Sequence, residues 1–122
     1  SHEVDSSDLA FHAAAAIGFR DAARAAGLYL LEPIMDLEVV VPEEYMGGVI
    51  KDLQSRRGEV SDLGYRGHLR LIEARAPLAE MFGYATVVRS LSQGRASYTL
   101  APASYAEVPP QLQKEILARY GL

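Results

Sequence analysis

The spacing of apolar positions along the chain changes period several times, and each change marks an element. In DSSDLAFHAAAAIGFRDAARAAG, residues 5–27, Leu9, Ala13, Ala14 and Ile17 form one stripe and Phe11, Ala15, Phe19 and Ala22 another, which predicts a helix apolar over much of its circumference. Asp5 or Ser6 suits its N-cap, Asp8 the positive end of its dipole and Gly27 its left-handed C-terminal residue. From Pro33 the period is two: Met35, Leu37, Val39 and Val41 face one way and Asp36 and Glu38 the other, as in a half-exposed strand. Pro42, Glu43 and Glu44 then open a helix over 43–56 with Met46, Val49, Ile50 and Leu53 as its stripe, closed by Arg56 and Arg57 before Gly58. Residues 59–65 read as a weak strand, 64–67 as a turn, and 68–76 as a stronger strand whose alternation slips between Leu71 and Ile72. Residues 78–92 carry Leu78, Met81, Phe82, Ala85, Val88 and Leu91, a further helical stripe that Gly94 ends. Ala96, Tyr98 and Leu100 alternate with Arg95, Ser97 and Thr99 in a last strand, and Pro109 and Pro110 introduce a terminal helix over 111–120.

From 33 to 104 the order is β-α-β-β-α-β. With right-handed crossovers it closes into an α+β, ferredoxin-like arrangement: a four-stranded antiparallel sheet with both helices on one face. The first helix is apolar on two sides and has nothing before it to cover the second. Residues 1–28 are therefore expected to close a truncated preceding domain, and 29–122 to form the ferredoxin-like domain with its C-terminal helix. Gly47, Gly48 and Gly83 each cost a helix about 1 kcal/mol relative to alanine, which points to close packing inside the domain or against a partner's backbone.

Composition narrows the chemistry. The 122 residues are 49% apolar and 23% charged, ordinary for a globular domain, and no run approaches the roughly 20 apolar residues of a membrane helix. With no cysteine there is no disulfide, thiolate nucleophile or thiolate metal site, and a cytoplasmic setting is expected. The opening Ser1, with no initiating methionine, suggests a fragment of a longer parent. There is no glycine-rich phosphate loop, no histidine pair at metal spacing and no nucleophile elbow, and the three scattered histidines form no constellation. The expectation is no catalysis, no cofactor and no metal in this chain.

The ferredoxin-like fold hosts unrelated activities, so function has to come from sites. An RNA-recognition sheet stacks bases on aromatics of its central strands, but MDLEVVV and HLRLIEARA carry none. Charge is unevenly spread. Although the net charge is -4, residues 55–75 hold five arginines against three acids, and residues 86–100 hold Arg89 and Arg95 with no acid. Arg89 and Gln93 are helical i, i+4 neighbours with Ser90 beside them, a set that can address one turn of RNA backbone. Arginines at a helix C-terminus also simply complement the dipole and cover surface. Both readings stand at this point.

The stretches LLEPIM, EEYMGGVIKDLQSRRGEV, PLAEMFGYATVVRSLSQGRASYTL and YAEVP, with HEVDSSDLAF before them, resemble in order the C-terminal part of the elongation factor G family of ribosomal GTPases. The resemblance runs through residues 2–109. It implies that the region from Glu32 is the family's fifth, ferredoxin-like domain and that residues before about 28 close its fourth. It further implies a ribosome-binding module that supports GTP-dependent translocation of tRNA and mRNA. Arg89, Ser90, Gln93 and Arg95 would face the sarcin-ricin loop of large-subunit rRNA, and Arg56 and Arg57 the GTPase-associated region. GTP and Mg would belong to the parent's GTPase domain; DNA and membrane are not expected partners. Val87 and Val88, where an Asp-Leu pair is common, and Ser92, where Thr is frequent, leave room for a paralogue specialised in ribosome recycling. A regulatory ligand-binding or dimerising ferredoxin-like domain is the alternative from another class.

Overall fold

The structure, a computed structural model, describes residues 30–121. The helix expected over 5–27 and the boundary near residue 28 lie outside the described residues. Along the chain run β1 (Leu31–Val41), α1 (Glu43–Ser55), β2 (Glu59–Arg66), β3 (Leu69–Pro77), a 3-10 turn (Leu78–Glu80), α2 (Tyr84–Leu91), β4 (Ser97–Glu107) and α3 (Pro110–Arg119). The four strands form one antiparallel sheet in the order β2-β3-β1-β4, the α+β, ferredoxin-like arrangement that the alternation predicts. Residues 32–106 make one compact unit, and among the described residues 30–31 group with 107–121 in another.

In the unit of residues 32–106, the period-two pattern of β1 decides which face is covered. Leu37, Val39 and Val41 are buried, and Leu37 and Val39 stand opposite Ala74 and Ile72 of β3. Val49 and Leu53 of α1, Met81 at the end of the 3-10 turn, and Tyr84 and Val88 of α2 complete the same core. Each such side chain contributes about 1.5–3 kcal/mol by leaving water. That stripe outweighs the cost of Gly47 and Gly48, about 1 kcal/mol each in a helix interior. Both glycines are exposed, and a Cβ on either would meet nothing within 4 Å, so they do not mark close packing inside the domain.

Three local expectations are corrected. The helix expected over 78–92 breaks: Gly83 adopts a left-handed φ of +79°, the chain turns there, and α2 starts only at Tyr84. Phe82, counted on the sequence as part of the apolar stripe, is 78% exposed as a result. Gly64 is no turn residue but pairs within β2 against Leu71; the turn narrows to Gly67 and His68, with Gly67 at φ +64°. That sign of φ gives a two-residue hairpin the twist of its strands. The slip expected in β3 belongs to β2, where the register shifts between Val60 and Asp62, while Ile72, Ala74 and Ala76 keep their alternation.

In the other unit, the Val108 amide donates to the Leu30 carbonyl at 2.9 Å and the Leu30 amide donates to Gln113 Oε1 at 2.8 Å. Pro110 opens α3, where a missing amide hydrogen costs nothing. Among the described residues, no helix is long and apolar enough to cross a membrane.

Candidate nucleic-acid interface

The two helices of the sheet unit end in the same way. After α1 the Gly58 amide donates to the Leu53 carbonyl at 2.8 Å and the Arg57 amide to that of Gln54 at 3.3 Å. After α2 the Gly94 amide donates to the Arg89 carbonyl at 2.7 Å and the Gln93 amide to that of Ser90 at 3.4 Å. These are the paired bonds of a Schellman motif, which requires its first residue beyond the cap to be left-handed and usually places glycine there. Here that residue is Arg57 at φ +58° and Gln93 at φ +53°. A non-glycine side chain costs about 1–2 kcal/mol in this conformation, so each invites a reason for its presence.

For Arg57 the reason lies inside the fold. Its guanidinium grips Glu32 with two bonds, 2.8 and 2.9 Å, and reaches Glu80 at 3.5 Å. The hydrogen bond to Glu32 is the main influence raising its pKa further, against the opposing effect of burial. Arg56 is held as firmly: Nε donates to Asp52 at 2.9 Å, Nη1 to the Glu80 carbonyl at 2.6 Å, and the guanidinium lies 5.0 Å from the centre of the Tyr84 ring. Gly58 closes this turn because a Cβ there would fall 2.6 Å from the Leu53 carbonyl oxygen. Arg56 and Arg57, expected as RNA contacts, thus tie α1 to the start of β1 and to the segment before α2. The sequence reading missed Glu32 as the partner. It stands 25 residues from Arg57, and the one signal was an acid set among apolar residues in LLEPIM.

At the end of α2 the arrangement is reversed. Arg89, Ser90 and Gln93 are exposed, and among the described residues none of their side chains has a hydrogen-bond or ion-pair partner. The backbone beneath them is fixed by Ser92, which is fully buried; its hydroxyl donates to the Val88 carbonyl at 2.7 Å and accepts the Ala96 amide at 3.0 Å. The amides of residues 92–95 all donate within the corner, so an anion placed there meets side chains. Arg95 is held loosely, with Nη1 3.2 Å from Glu44 and its guanidinium 5.9 Å from the Tyr45 ring centre, both Arg95 and Glu44 more than half exposed. Such exposed pairs are worth about 0–1 kcal/mol, little enough for a phosphate to replace the carboxylate.

The broad depression on the open face of the sheet, about 580 Å³, is no rival surface for RNA: it is bordered by Asp36, Glu38, Glu59 and Glu73, with Arg75 as the cation and no aromatic ring. Arg75 is already paired with Asp36 at 2.9 Å. Among the described residues, no three metal-ligating side chains gather.

Comparison with known proteins bears on the same corner. Residues 29–116 match the profile described as the elongation factor G C-terminus, and 116 residues are 56% identical to elongation factor G of Thermotoga maritima. The chain belongs to the elongation factor G family. The elongation factors G of Thermotoga neapolitana and Fervidobacterium nodosum are 55% and 53% identical over the same length. Each alignment covers 95% of this chain and 17% of the relative, so the chain spans about a sixth of the elongation factor G sequences it matches. A crystal structure from Thermus thermophilus superposes with a TM-score of 0.72 at 44% identity, over 97% of this chain and 18% of that one. The profile takes in both helix ends, including the exposed corner and the Arg57–Glu32 clasp.

Proposed function

We propose that this chain is the ribosome-facing C-terminal module of an elongation-factor-G-like translational GTPase, and that the corner after α2 docks on the sarcin-ricin loop of large-subunit rRNA. The observation that carries this reading is the contrast between the two Schellman caps. The same strained backbone holds Arg57 for an internal carboxylate and Gln93 for something outside. Arg89 and Arg95 supply charge to phosphate oxygens, and Ser90 and Gln93 supply hydrogen bonds, the division of labour by which side chains fix a protein's register on a nucleic-acid backbone. GTP and Mg are handled by the parent's GTPase domain, in the cytoplasm, and this module orients the parent so that hydrolysis is coupled to movement of tRNA and mRNA. Arg56 and Arg57 act here as frame, holding α1 in place.

Binding of a fluorescent sarcin-ricin stem-loop to the 122-residue chain, followed by anisotropy over a salt series, tests this reading. Arg89→Ala and Arg95→Ala are each expected to weaken binding and to reduce the magnitude of the salt slope by about one. Equal affinity for a scrambled, unstructured RNA of the same length would reject docking by shape.

A further inference from the structure

Residues 63–72, LGYRGHLRLI, are as free of acids as the corner after α2 and carry Arg66, His68 and Arg70 around a tyrosine. They form the tip of the β2–β3 hairpin. Tyr65 and Arg70 face each other across the strands, and the Arg70 guanidinium lies 4.3 Å from the Tyr65 ring centre. Tyr65 is 67% exposed, with one face of its ring covered by the cation and the other open. Arg70 is itself immobilised, with Nε donating to the Gly64 carbonyl at 3.2 Å and Nη1 lying 3.2 Å from Glu43.

The fold brings this tip and the corner to one end of the unit. Arg70 pairs with Glu43 and Arg95 with Glu44, consecutive residues in the first turn of α1. On the other side of the sheet, Arg66 shares a small depression with its ion-pair partner Glu38 and with Ser97, Tyr98 and Thr99, the residues directly after the corner. Three strand spacings separate β2 from β4, about 14 Å, or roughly four phosphate steps along the axis of a duplex strand.

We infer that the hairpin tip is a second arm of the RNA interface, in which an unstacked base of the bound loop lies on the open face of Tyr65 while Arg66 meets the adjoining phosphate. The inference rests on the docking reading above. A tyrosine backed by a guanidinium is a fixed, flat surface, and RNA loops are recognised by stacking splayed bases on such rings and guanidinium planes. A base is favoured over a protein side chain because the cations continue a surface whose other members are also suited to phosphate. The pair of Arg66 with Glu38 at 3.4 Å is solvent-exposed on both sides and does not strongly oppose transfer of Arg66 to a phosphate.

The test uses the full 122-residue chain and sarcin-ricin stem-loops carrying 2-aminopurine at successive loop positions. The expected result is quenching at one position, abolished in Tyr65→Ala together with an affinity loss of about tenfold, and retained in Tyr65→Phe. Arg66→Ala is expected to cost less and to flatten the salt slope. Unchanged binding and quenching in Tyr65→Ala, while Gln93→Ala weakens binding, would remove the hairpin from the interface and leave the corner standing. No loss in either variant would overturn the docking reading and this one with it. Equal losses in Tyr65→Phe and Tyr65→Ala would replace stacking by a hydroxyl contact. Unchanged stem-loop binding with weaker binding of Tyr65→Ala to whole large subunits would make the occupant a ribosomal protein.

Discussion

Gln93 holds a backbone conformation that glycine would hold at lower cost, and Gly94, already at φ +79°, follows it. Replacing Gln93 by glycine separates its backbone strain from its proposed RNA contact. Relief of left-handed strain, partly offset by the larger entropy of an unfolded glycine, is expected to leave thermal stability unchanged or raise it by about 0.5–1 kcal/mol. The same variant is expected to bind the stem-loop more weakly than wild type. Parallel melting and anisotropy measurements check this; a destabilised Gln93→Gly protein that binds normally would show that the side chain serves the fold. Single residues were unevenly legible in the sequence. Arg89, Ser90 and Gln93 could be grouped because helical spacing alone puts them together. The inward turn of Arg56 and Arg57 could not be read, because it depends on Glu32 and Glu80, which are brought near only by the tertiary fold.

At the scale of elements, the joint between the two helices turns on Tyr84, which lies under the Arg56 guanidinium and meets Tyr98 edge-on at 5.2 Å between ring centres. Its hydroxyl is buried and has no hydrogen-bond partner. Burial, with the Asp52 carboxylate nearby, holds the phenol well above its usual pKa of 10.0. Below about pH 10 the folded and unfolded chains both keep this proton, and stability does not depend on it. Above that pH the unfolded chain loses the proton first, the folded chain binds more protons, and stability falls as pH rises. Tyr84→Phe keeps the ring and removes the unpartnered hydroxyl. It is expected to gain about 1 kcal/mol at neutral pH and to lose less stability than wild type above about pH 10, which denaturant titrations on either side of that pH measure. A loss at neutral pH would mean that the hydroxyl has a partner, such as a bound water. The elements themselves were legible wherever one period ran unbroken, as in β1, α1 and β4. Reading failed where one glycine decided the outcome. An apolar stripe from Leu78 to Leu91 looks the same whether Gly83 is helical or left-handed, and Gly64 and Gly67 look alike until strand pairing shows which one turns.

The whole molecule is a module of a larger factor's family, spanning 17% of the elongation factor G relative from Thermotoga maritima. On the proposed docking reading, the module acts on GTP turnover only through the ribosome, and this makes its contribution separable. In the full-length parent, Arg89→Glu places a carboxylate where a phosphate is expected, and like charges juxtaposed at an interface cost several kcal/mol before salt screening removes part of the penalty. The half-saturating ribosome concentration for GTP turnover is therefore expected to rise on the order of tenfold or more, and more steeply at low salt, while nucleotide affinity and the slow ribosome-free rate stay at wild-type values. Arg57→Glu in the same parent behaves differently, because its lost partner is the buried Glu32. Breaking a buried pair and adding a second carboxylate destabilises the module, by about 3–5 kcal/mol for loss of the pair alone, and turnover falls with the folded fraction at every ribosome concentration. A titration of GTP turnover against ribosomes, run beside melting curves of both variants, tells the two arginines apart: an unchanged ribosome requirement in a folded Arg89→Glu factor would place the docking contact elsewhere.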